Sequence, residues 1–343
     1  MMGYDCPLNV GLIGVGKHAQ QVLLPAVEQL PDVLLLTSLA TAHAETARAA
    51  SARYRLPCHV GHEALIADPN LQAVIIASLD HETCAIAALE AGKHVFSETP
   101  GISSVAGARR IRELCRKRNL IYQVGSCLRW APPYQKLQQL LEDWRSAEPG
   151  SRTFCASYYG AVSHIYNLFL FLNGDIESLL ALRALDGSAH IVLCRFANGD
   201  VGSVRVANFH NWSPPNEAVE VTHATGKLVA EDGRLVRFHR TPARAAVSAM
   251  ALSFDHADGQ LFHSTYSLPY GGNSQLYMRG YIPELADFVD CVRTGKPPRC
   301  GVDDAEKTLM VNQAVRNSMD SGACWTNVKT GSWAEKPIAP IES

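Results

Sequence analysis

Short apolar runs alternate with helix-like segments over the first 125 residues of the chain. Apolar runs without polar interruption are typical of strands buried on both faces. Their alternation with segments of helical spacing predicts an α/β fold with a doubly wound parallel sheet. We expect strands at 9–13, 33–39, 58–60, 72–77, 93–97 and 121–124, and helices at 17–30, 45–54, 82–91 and 105–118.

The pattern changes after a helix predicted over 132–145. Strand-like segments then follow one another, and Asn198-Gly199-Asp200 predicts a hairpin between two of them. This pattern predicts a second α/β domain with a large open, mainly antiparallel sheet. Its expected strands are 177–185, 189–197, 201–208, 218–223 and 227–230, and its expected helices 162–172, 278–293 and 303–321.

Composition narrows the class of protein. The 343 residues include 31 basic and 33 acidic side chains, which argues against nucleic acid or an anionic membrane as a partner. No apolar run reaches the ~18–20 residues that cross a bilayer, and the first residues lack a signal-peptide pattern. The ten cysteines form no C-x-x-C pair, so we expect reduced thiols and no metal site. We expect a cytoplasmic protein.

A glycine-rich turn follows the first predicted strand. Gly14, Gly16 and Ala19 form G-x-G-x-x-A between a strand and a helix. The first glycine permits a tight turn, the second lets a pyrophosphate approach the backbone, and the alanine lets helix and strand pack closely. The turn therefore predicts a dinucleotide-binding domain of the Rossmann type, with Lys17 and His18 beside the cofactor.

The end of the second predicted strand bears on the choice of cofactor. NAD-specific domains usually place an acid there to accept from the ribose 2′-hydroxyl. Residues 33–44 contain no acid; Thr41 stands in that place, followed by His43 and, further on, Arg48. Hydroxyl and basic groups accept a 2′-phosphate, so we favour NADP(H) over NAD(H), although Thr41 would also tolerate NAD.

Several fragments together resemble the glucose–fructose oxidoreductase/inositol dehydrogenase (Gfo/Idh/MocA) family, over nearly the whole chain. The fragments are the glycine turn, Asp80-His81, the run from Ala91 to Pro100 that parallels the family's "AGKHVxxEKP", Gln123-Val124-Gly125 with Arg129, His164-x-x-Asn167, Phe196-Ala197-Asn198-Gly199 and Tyr281-x-x-Glu284-Leu285-x-x-Phe288.

The resemblance implies a Rossmann domain, expected at 1–125, and a C-terminal substrate-binding and oligomerisation domain, expected at 126–343. It implies an oxidoreductase that transfers hydride between nicotinamide and a carbonyl, imine or alcohol carbon, on a sugar- or cyclitol-like molecule. It also implies a homodimer or homotetramer. The cofactor-binding residues that follow are Gly14, Gly16, Lys17, His18, Ala19, Thr41, His43, Ser78, Leu79, His81, Glu98 and Thr99.

The chain departs from the family at two positions that bear on chemistry. Thr99 replaces the lysine of "EKP", and Gly160 stands where the sugar dehydrogenases have an aspartate four residues before the histidine. A threonine hydroxyl has no charge with which to stabilise an alkoxide. His164 remains the favoured proton donor or acceptor, since its ordinary pKa is near 6.5.

Further site residues and two other functions follow from the resemblance. We expect Tyr158 and Thr99 to assist His164, and Arg129, Tyr159 and Asn167 to contact substrate. Biliverdin reductase and thiazolinyl imine reductases also lack the family lysine, so its loss is compatible with reduction. The alternatives are a catalytically degenerate cofactor-binding or regulatory protein and a nicotinamide-assisted glycosidase or lyase.

Overall fold

The computed structural model describes residues 6–207, 217–231, 233–240, 259–263 and 274–328. These residues form two compact units. The first contains residues 6–127 and 275–309, and the second contains the described residues of 128–263 together with 310–328. This division differs from the expected 1–125 and 126–343, because residues 275–309 return to the first unit.

A six-stranded parallel sheet forms the centre of the first unit, in the order β3-β2-β1-β4-β5-β6. This is the doubly wound order that the alternating pattern predicts, with the order reversing beside β1. Its strands are β1 (Leu8–Ile13), β2 (Leu34–Thr41), β3 (Cys58–Val60), β4 (Ala73–Ile76), β5 (His94–Glu98) and β6 (Tyr122–Gly125).

Helices accompany this sheet. A π-helical turn, Ala19–Leu23, runs directly into α1 and follows the glycine turn. The helices, numbered along the chain, are α1 (Leu24–Glu28), α2 (Ala44–Tyr54), α3 (Glu63–Ile66), α4 (His81–Glu90), α5 (Val105–Arg118), α8 (Ser274–Met278), α9 (Tyr281–Thr294) and the first part of α10 (Val302–Asp320).

Helix α9 belongs to the first unit because its apolar stripe enters the core of that unit. Leu285, Phe288 and Val289 are buried with residues of β1 and β5. The ring of Phe288 meets Phe96 of β5 edge to face, with centroids 5.8 Å apart. An aromatic pair of this kind stabilises beyond its buried area, so α9 is a fixed part of the first unit.

The second unit is built on a nine-stranded sheet in the order β14-β13-β12-β11-β7-β10-β9-β8-β15. All neighbours are antiparallel except β7 and β10, so the sheet is mainly antiparallel, as predicted. Its strands are β7 (Thr153–Tyr158), β8 (Ile176–Arg183), β9 (Ala189–Phe196), β10 (Val201–Ala207), β11 (Ala218–His223), β12 (Gly226–Glu231), β13 (Leu235–Arg240), β14 (Gly259–His263) and β15 (Thr326–Asn327).

Two helices supply the apolar layer of this sheet. Helix α6 (Pro132–Ala147) contacts β12 and β13, and α7 (Val162–Asn173) contacts β7. Phe154, Phe169 and Phe196 pack together between α7 and the sheet, with centroid distances of 5.6 to 6.3 Å. The rest of α10 and a 3-10 turn at Cys127–Arg129 complete the elements. No described helix is long and apolar enough to cross a membrane.

The α/β prediction and the hairpin at Asn198-Gly199-Asp200 are confirmed, and the ends of the predicted elements agree with the observed ones to within three residues. The central strand β7 was missed, as were α3 and the strands β13 to β15. Strand β7 alternates buried and exposed positions over six residues, but Cys155, Ala156 and Ser157 have weak strand preference. Tertiary pairing with β10 and β11 decides its conformation.

Candidate functional site

The glycine turn lies at the carboxyl end of β1, as predicted. Gly14 has φ +95°, a region that favours glycine. A Cβ atom at Gly14 would lie 2.6 to 2.8 Å from backbone atoms of Ala77 and Ser78, which follow β4. The close approach of the two strand ends therefore requires glycine here.

Gly16 differs from Gly14 in its surroundings. A Cβ atom at Gly16 would meet no atom within 4 Å, so the backbone of this turn faces open space. Ala19, by contrast, is fully buried where the helix packs on the sheet. An open backbone at the start of helical turns is the shape that a pyrophosphate needs. The turn therefore fits a dinucleotide, which requires no side chain at Gly16.

Four further predicted cofactor residues lie at the same carboxyl edge of the sheet. Thr41 ends β2 and donates from its hydroxyl to the carbonyl of His43, at 3.1 Å. His43 precedes α2 in extended backbone and is exposed. Ser78 and Leu79 follow β4; the leucine is 89% exposed, which is unusual for a large apolar side chain.

A second layer of side chains lies behind this edge and was not predicted. The hydroxyl of Ser78 is 3.6 Å from the sulfur of Cys84, which is 3.8 Å from Nδ1 of His62. Burial raises the pKa of Cys84, against the hydrogen bond to Ser78. The thiol therefore stays protonated and can orient the His62 ring beside the β3–α3 turn.

Strand β5 ends at Glu98, and the segment after it begins with Thr99 and is anchored by hydrogen bonds. Glu82 of α4 accepts from the backbone N–H groups of Ser103 and Ser104, at 2.8 and 2.9 Å, and from the Ser104 hydroxyl at 2.9 Å. Ser104 in turn caps α5 by accepting from the N–H of Gly107. This network holds the segment that leads from Thr99 into α5 at Ser103 and Ser104.

Glu98 lies among three predicted cofactor residues of the first unit. Its Oε1 is 3.3 Å from Nε2 of His18, and its Oε2 accepts from the N–H of Thr99, at 3.3 Å. His81 is also within its electrostatic reach, and Nδ1 of His81 is 3.2 Å from the hydroxyl of Ser97. The structure therefore brings the glycine turn and the ends of β4 and β5 together around one buried carboxylate.

The two histidines beside Glu98 differ in charge. Burial opposes the charge of His18, but the hydrogen bond and the attraction of Glu98 outweigh it and raise the pKa of His18 above 6.5. Burial lowers the pKa of His81 below 6.5, against the attraction of Glu98 and Asp80. Near neutral pH, His18 is therefore the more protonated of the two.

Glu284 is a buried acid that was not predicted as a site residue. Its side chain is fully buried in α9, and neither carboxyl oxygen has a hydrogen-bond partner among the described residues. Burial, and then the charge of Glu98, raise the pKa of Glu284 well above 4.5, because both disfavour the ionised carboxylate. The sequence does contain a signal: Tyr281, Glu284 and Phe288 follow helical spacing, which places this acid on an apolar stripe.

The predicted residues of the second unit collect around the start of α7. Tyr158 ends β7, and its ring stacks on Tyr159 with centroids 6.0 Å apart and an interplanar angle of 19°. Gly160 has φ +107° in the turn that follows. His164 lies in the first turn of α7 with its side chain largely buried. Two aromatic rings and an imidazole thus border one short turn.

Arg129 and Asn167 form a buried pair in the same unit. Nε of Arg129 donates to Oδ1 of Asn167, and its guanidinium lies over the ring of Phe171, 5.2 Å from the centroid. Tyr166, one residue before Asn167, instead hydrogen-bonds His190 at 3.0 Å. The structure places Tyr158 and Tyr159 at the end of β7, and His164 and Asn167 on α7; their roles stay predictions.

Comparison with known proteins identifies the class of the first unit. Residues 8–126 match the Gfo/Idh/MocA family, described as an oxidoreductase family with an NAD-binding Rossmann fold. Myo-inositol 2-dehydrogenase of Thermotoga maritima is 21% identical over 352 residues, which cover 91% of this chain and 96% of the relative. Levoglucosan dehydrogenase of Pseudarthrobacter phenanthrenivorans is 24% identical over the same shares of the two chains.

Solved structures show the same fold over both units. Levoglucosan dehydrogenase in complex with NADH and L-sorbose superposes with a TM-score of 0.79 at 19% identity, and the match covers 94% of this chain and 99% of that one. The fold that the resemblance implies is therefore confirmed over both units, and the match to the family itself covers residues 8–126. The described residues contain no group of three or more His, Cys, Asp or Glu side chains arranged for a metal ion.

Proposed function

We propose that the chain, whose residues 8–126 match the Gfo/Idh/MocA oxidoreductase family, transfers hydride between a nicotinamide cofactor and a carbonyl, imine or alcohol carbon of a sugar- or cyclitol-like molecule. Relatives that match over 91% of the chain are named for myo-inositol and levoglucosan. Their small polyhydroxylated substrates motivate the proposed substrate class.

The observation that carries this proposal is the contrast between Gly14 and Gly16. Gly14 is enclosed by the backbone that follows β4, whereas Gly16 faces open space at the carboxyl edge of the sheet. A turn that only connected β1 to the helix would not require both an enclosed glycine at Gly14 and open space at Gly16. A pyrophosphate held by backbone N–H groups needs both of them.

The preferred cofactor in this proposal is NADP(H). No acid follows β2. The single hydroxyl group of Thr41 lies at the expected position of the ribose, where it donates to the His43 carbonyl and its oxygen can accept a hydrogen bond. The exposed imidazole of His43 lies two residues further on. A 2′-phosphate meets hydroxyl and imidazole groups here and no carboxylate at the strand end, which favours the phosphorylated dinucleotide.

Proton transfer is assigned to the second unit. When bound, the nicotinamide ring supplies or accepts the hydride. His164 accepts the hydroxyl proton of an alcohol, or returns a proton to the oxygen or nitrogen of a carbonyl or imine. Tyr158 assists by hydrogen bonding, and Arg129, Tyr159 and Asn167 contact substrate. In the first unit, the Thr99 hydroxyl orients the reacting oxygen without adding charge.

Self-association through the outer face of the second sheet is part of the same proposal. Leu180 and Leu182 of β8 pair with Leu193 and Ile191 of β9, and three of these four side chains are exposed. A contiguous apolar face of this kind is stabilised by burial against a partner. A second copy of the chain can bury it across a twofold axis. We propose a homodimer or a homotetramer.

One set of measurements tests these statements. Fluorescence titration with NADPH and NADH measures cofactor binding, and light scattering of the same sample measures the number of subunits. Nicotinamide absorbance with a panel of cyclitols, anhydrosugars, keto sugars and imines then measures turnover. We expect NADPH to bind more tightly than NADH, and His164→Ala to lower turnover by about 10²- to 10⁴-fold with NADPH binding unchanged.

His239→Ala is the matched control for His164→Ala. His239 is an exposed histidine of β13, and we expect its loss to leave turnover unchanged. Failure of both dinucleotides to bind would overturn the proposal at its base. Binding without turnover on the whole panel would favour a cofactor-binding protein, and unchanged turnover in His164→Ala would remove this residue from the mechanism.

A further inference from the structure

A row of three side chains, Ser78, Cys84 and His62, lies at the carboxyl edge of the first sheet. The hydroxyl of Ser78 is 3.6 Å from the sulfur of Cys84, and that sulfur is 3.8 Å from Nδ1 of His62. Cys84 is buried near the start of α4, whereas Ser78 and His62 are half-buried. The row therefore connects the end of β4 to the segment after β3 and holds the His62 ring by one of its nitrogens.

Both ends of this row lie beside turns that a dinucleotide would use. A Cβ atom at Gly14 would lie 2.6 Å from the backbone nitrogen of Ser78, so Ser78 adjoins the glycine turn. At the other end, the N–H of Gly61 donates to the carbonyl of Thr41, at 2.8 Å, so the chain reaches His62 directly beyond the end of β2.

This placement brings the adenine of a dinucleotide to His62. In a doubly wound sheet the pyrophosphate binds at the turn after β1, and the adenosine ribose lies near the end of β2. Strand β3 pairs with β2 on the side away from β1, and neighbouring strands lie about 4.8 Å apart. The base that the ribose carries is therefore within reach of the segment that follows β3.

Leu79 adds an apolar surface at the same edge. Its side chain is 89% exposed, although the nearby strand β4 is fully buried. The turn that carries Leu79 is anchored, because the carboxylate of Asp80 accepts from the N–H of Thr83, at 3.3 Å, and caps α4. Contact with a flat heterocycle would remove this exposed leucine from water, which favours binding.

The contact with Cys84 also leaves one nitrogen of His62 for a ligand. A thiol can accept a hydrogen bond from the Ser78 hydroxyl and donate its own proton to Nδ1 of His62. The ring proton is then on Nε2, which has no hydrogen-bond partner among the described residues. An N–H at this position suits a ring nitrogen of adenine, which accepts a hydrogen bond.

We propose that His62 and Leu79 bind the adenine of the cofactor, and that Cys84 is a positioning residue that orients the His62 ring. This role depends on the proposed cofactor site. Nε2 of His62 donates to N1 of the base, on the edge away from the ribose, and Leu79 covers one face of the base. Proteins that read a single base combine hydrogen bonds to this edge with apolar contacts to the ring faces.

Calorimetric titration with NADPH and NADH tests this assignment. We expect His62→Ala to weaken binding by about two- to tenfold, the range for one neutral hydrogen bond, and Leu79→Ala by about three- to tenfold. Each variant should weaken NADPH and NADH equally, because the two dinucleotides share the adenine. A loss confined to NADPH would place His62 at the 2′-phosphate and overturn the assignment.

A dinucleotide with a changed base separates contact with the base from contact with the ribose. Reduced nicotinamide hypoxanthine dinucleotide carries a hydrogen on N1 and keeps the riboses and phosphates of NADH. We expect it to bind the wild-type chain about two- to tenfold more weakly than NADH, and this difference should shrink in His62→Ala. An equal difference in both chains would show that His62 does not contact the base.

A double-mutant comparison tests the role of Cys84. Cys84→Ala should weaken NADH binding, and it should have no further effect in a chain that already carries His62→Ala, because it acts through that ring. Cys84→Ser keeps a donor and should recover part of the loss. If Cys84→Ala weakened binding equally in both backgrounds, the thiol would act through packing and not through His62.

Two matched controls accompany these variants. Leu35→Ala removes another exposed leucine of the first unit, near the amino end of β2, where no dinucleotide is expected. His239→Ala removes an exposed histidine of β13 in the second unit. We expect both to bind NADPH and NADH as the wild type does.

The outcomes separate the adenine assignment from the proposed function. If neither dinucleotide binds the wild-type chain, the cofactor site itself is wrong. If the wild type binds them and both His62→Ala and Leu79→Ala bind them equally well, the adenine assignment is wrong and the cofactor site stands. Should circular dichroism show that Cys84→Ala is unfolded, the variants at the more exposed His62 and Leu79 decide.

Discussion

The carboxyl edge of the first sheet and the β7–α7 turn of the second unit differ in which part of the chain forms their distinctive features. At the first, the essential features are backbone features: the φ of Gly14, the open space at Gly16 and the approach of β4. At the second, the features are side chains, including the stacked rings of Tyr158 and Tyr159 and the imidazole of His164.

This difference explains why the two regions differ in how far their function can be inferred. A pyrophosphate is the same in every dinucleotide, so a backbone cradle that fits it recurs with the same glycine spacing. Substrates vary, and side chains that meet them vary with them. Thr99 and Gly160 stand where the family motifs lead us to expect a lysine and an aspartate, and we expect each replacement to change the chemistry without disturbing the sheet to which it is attached.

The largest expected effect comes from Gly14→Ala. The added Cβ would meet backbone atoms of Ala77 and Ser78 in addition to adopting an unfavourable φ. We expect a loss of about 2–5 kcal/mol in the free energy of unfolding, together with loss of dinucleotide binding. Urea denaturation and fluorescence titration measure the two effects.

Gly16→Ala is the matched control for Gly14→Ala. It should change stability by less than about 0.5 kcal/mol, because its Cβ meets no protein atom. It should nevertheless weaken dinucleotide binding by about tenfold or more, since the methyl group occupies the space of the pyrophosphate. If Gly16→Ala bound the dinucleotide as tightly as the wild type, the contrast between the two glycines would not report a cofactor site.

We expect a smaller change in the free energy of unfolding at Glu284, a position in the first unit where the side chain and not the backbone matters. The raised pKa means that the folded chain holds this proton more tightly than the unfolded chain does. The contribution of Glu284 to stability is therefore fully present below about pH 4.5 and is lost as pH rises towards the folded pKa, by up to about 1.4 kcal/mol per pH unit. Glu284→Gln, which mimics the protonated acid, should not show this contribution.

Denaturation curves at a series of pH values test whether the contribution of Glu284 to stability falls as pH rises. The free energy difference between Glu284→Gln and wild type should be near zero in acid and should grow in favour of the variant towards alkaline pH. Asp290→Asn is a control on the same helix, because its carboxylate is not buried and pairs with Lys296 across 3.8 Å. Equal pH dependence in Glu284→Gln and wild type would show that Glu284 is ionised in the folded chain.

The sequence was sufficient for the doubly wound parallel sheet of the first unit and for its glycine turn, because both follow from local patterns. It was insufficient for Glu284 and for the Glu98–His18 contact, since these residues come from three distant segments. It also missed β7, which its neighbours in the sheet hold in place. Residues 275–309 could not be assigned to the first unit from their own pattern, because an amphipathic helix does not specify which core buries it.

The smallest expected effect is at Gly160, the counterpart of Gly14 in the second unit. Both have positive φ, but a Cβ at Gly160 would only touch the Tyr158 ring, at an ordinary 3.7 Å. Gly160→Ala should therefore cost about 1–2 kcal/mol of unfolding free energy from backbone strain alone. NADPH binding should be unchanged, and turnover should fall because the turn before His164 is displaced. A loss of NADPH binding in Gly160→Ala equal to that in Gly14→Ala would show that the β7–α7 turn also forms part of the cofactor site, and the separation of backbone and side-chain roles between the two units would then be wrong.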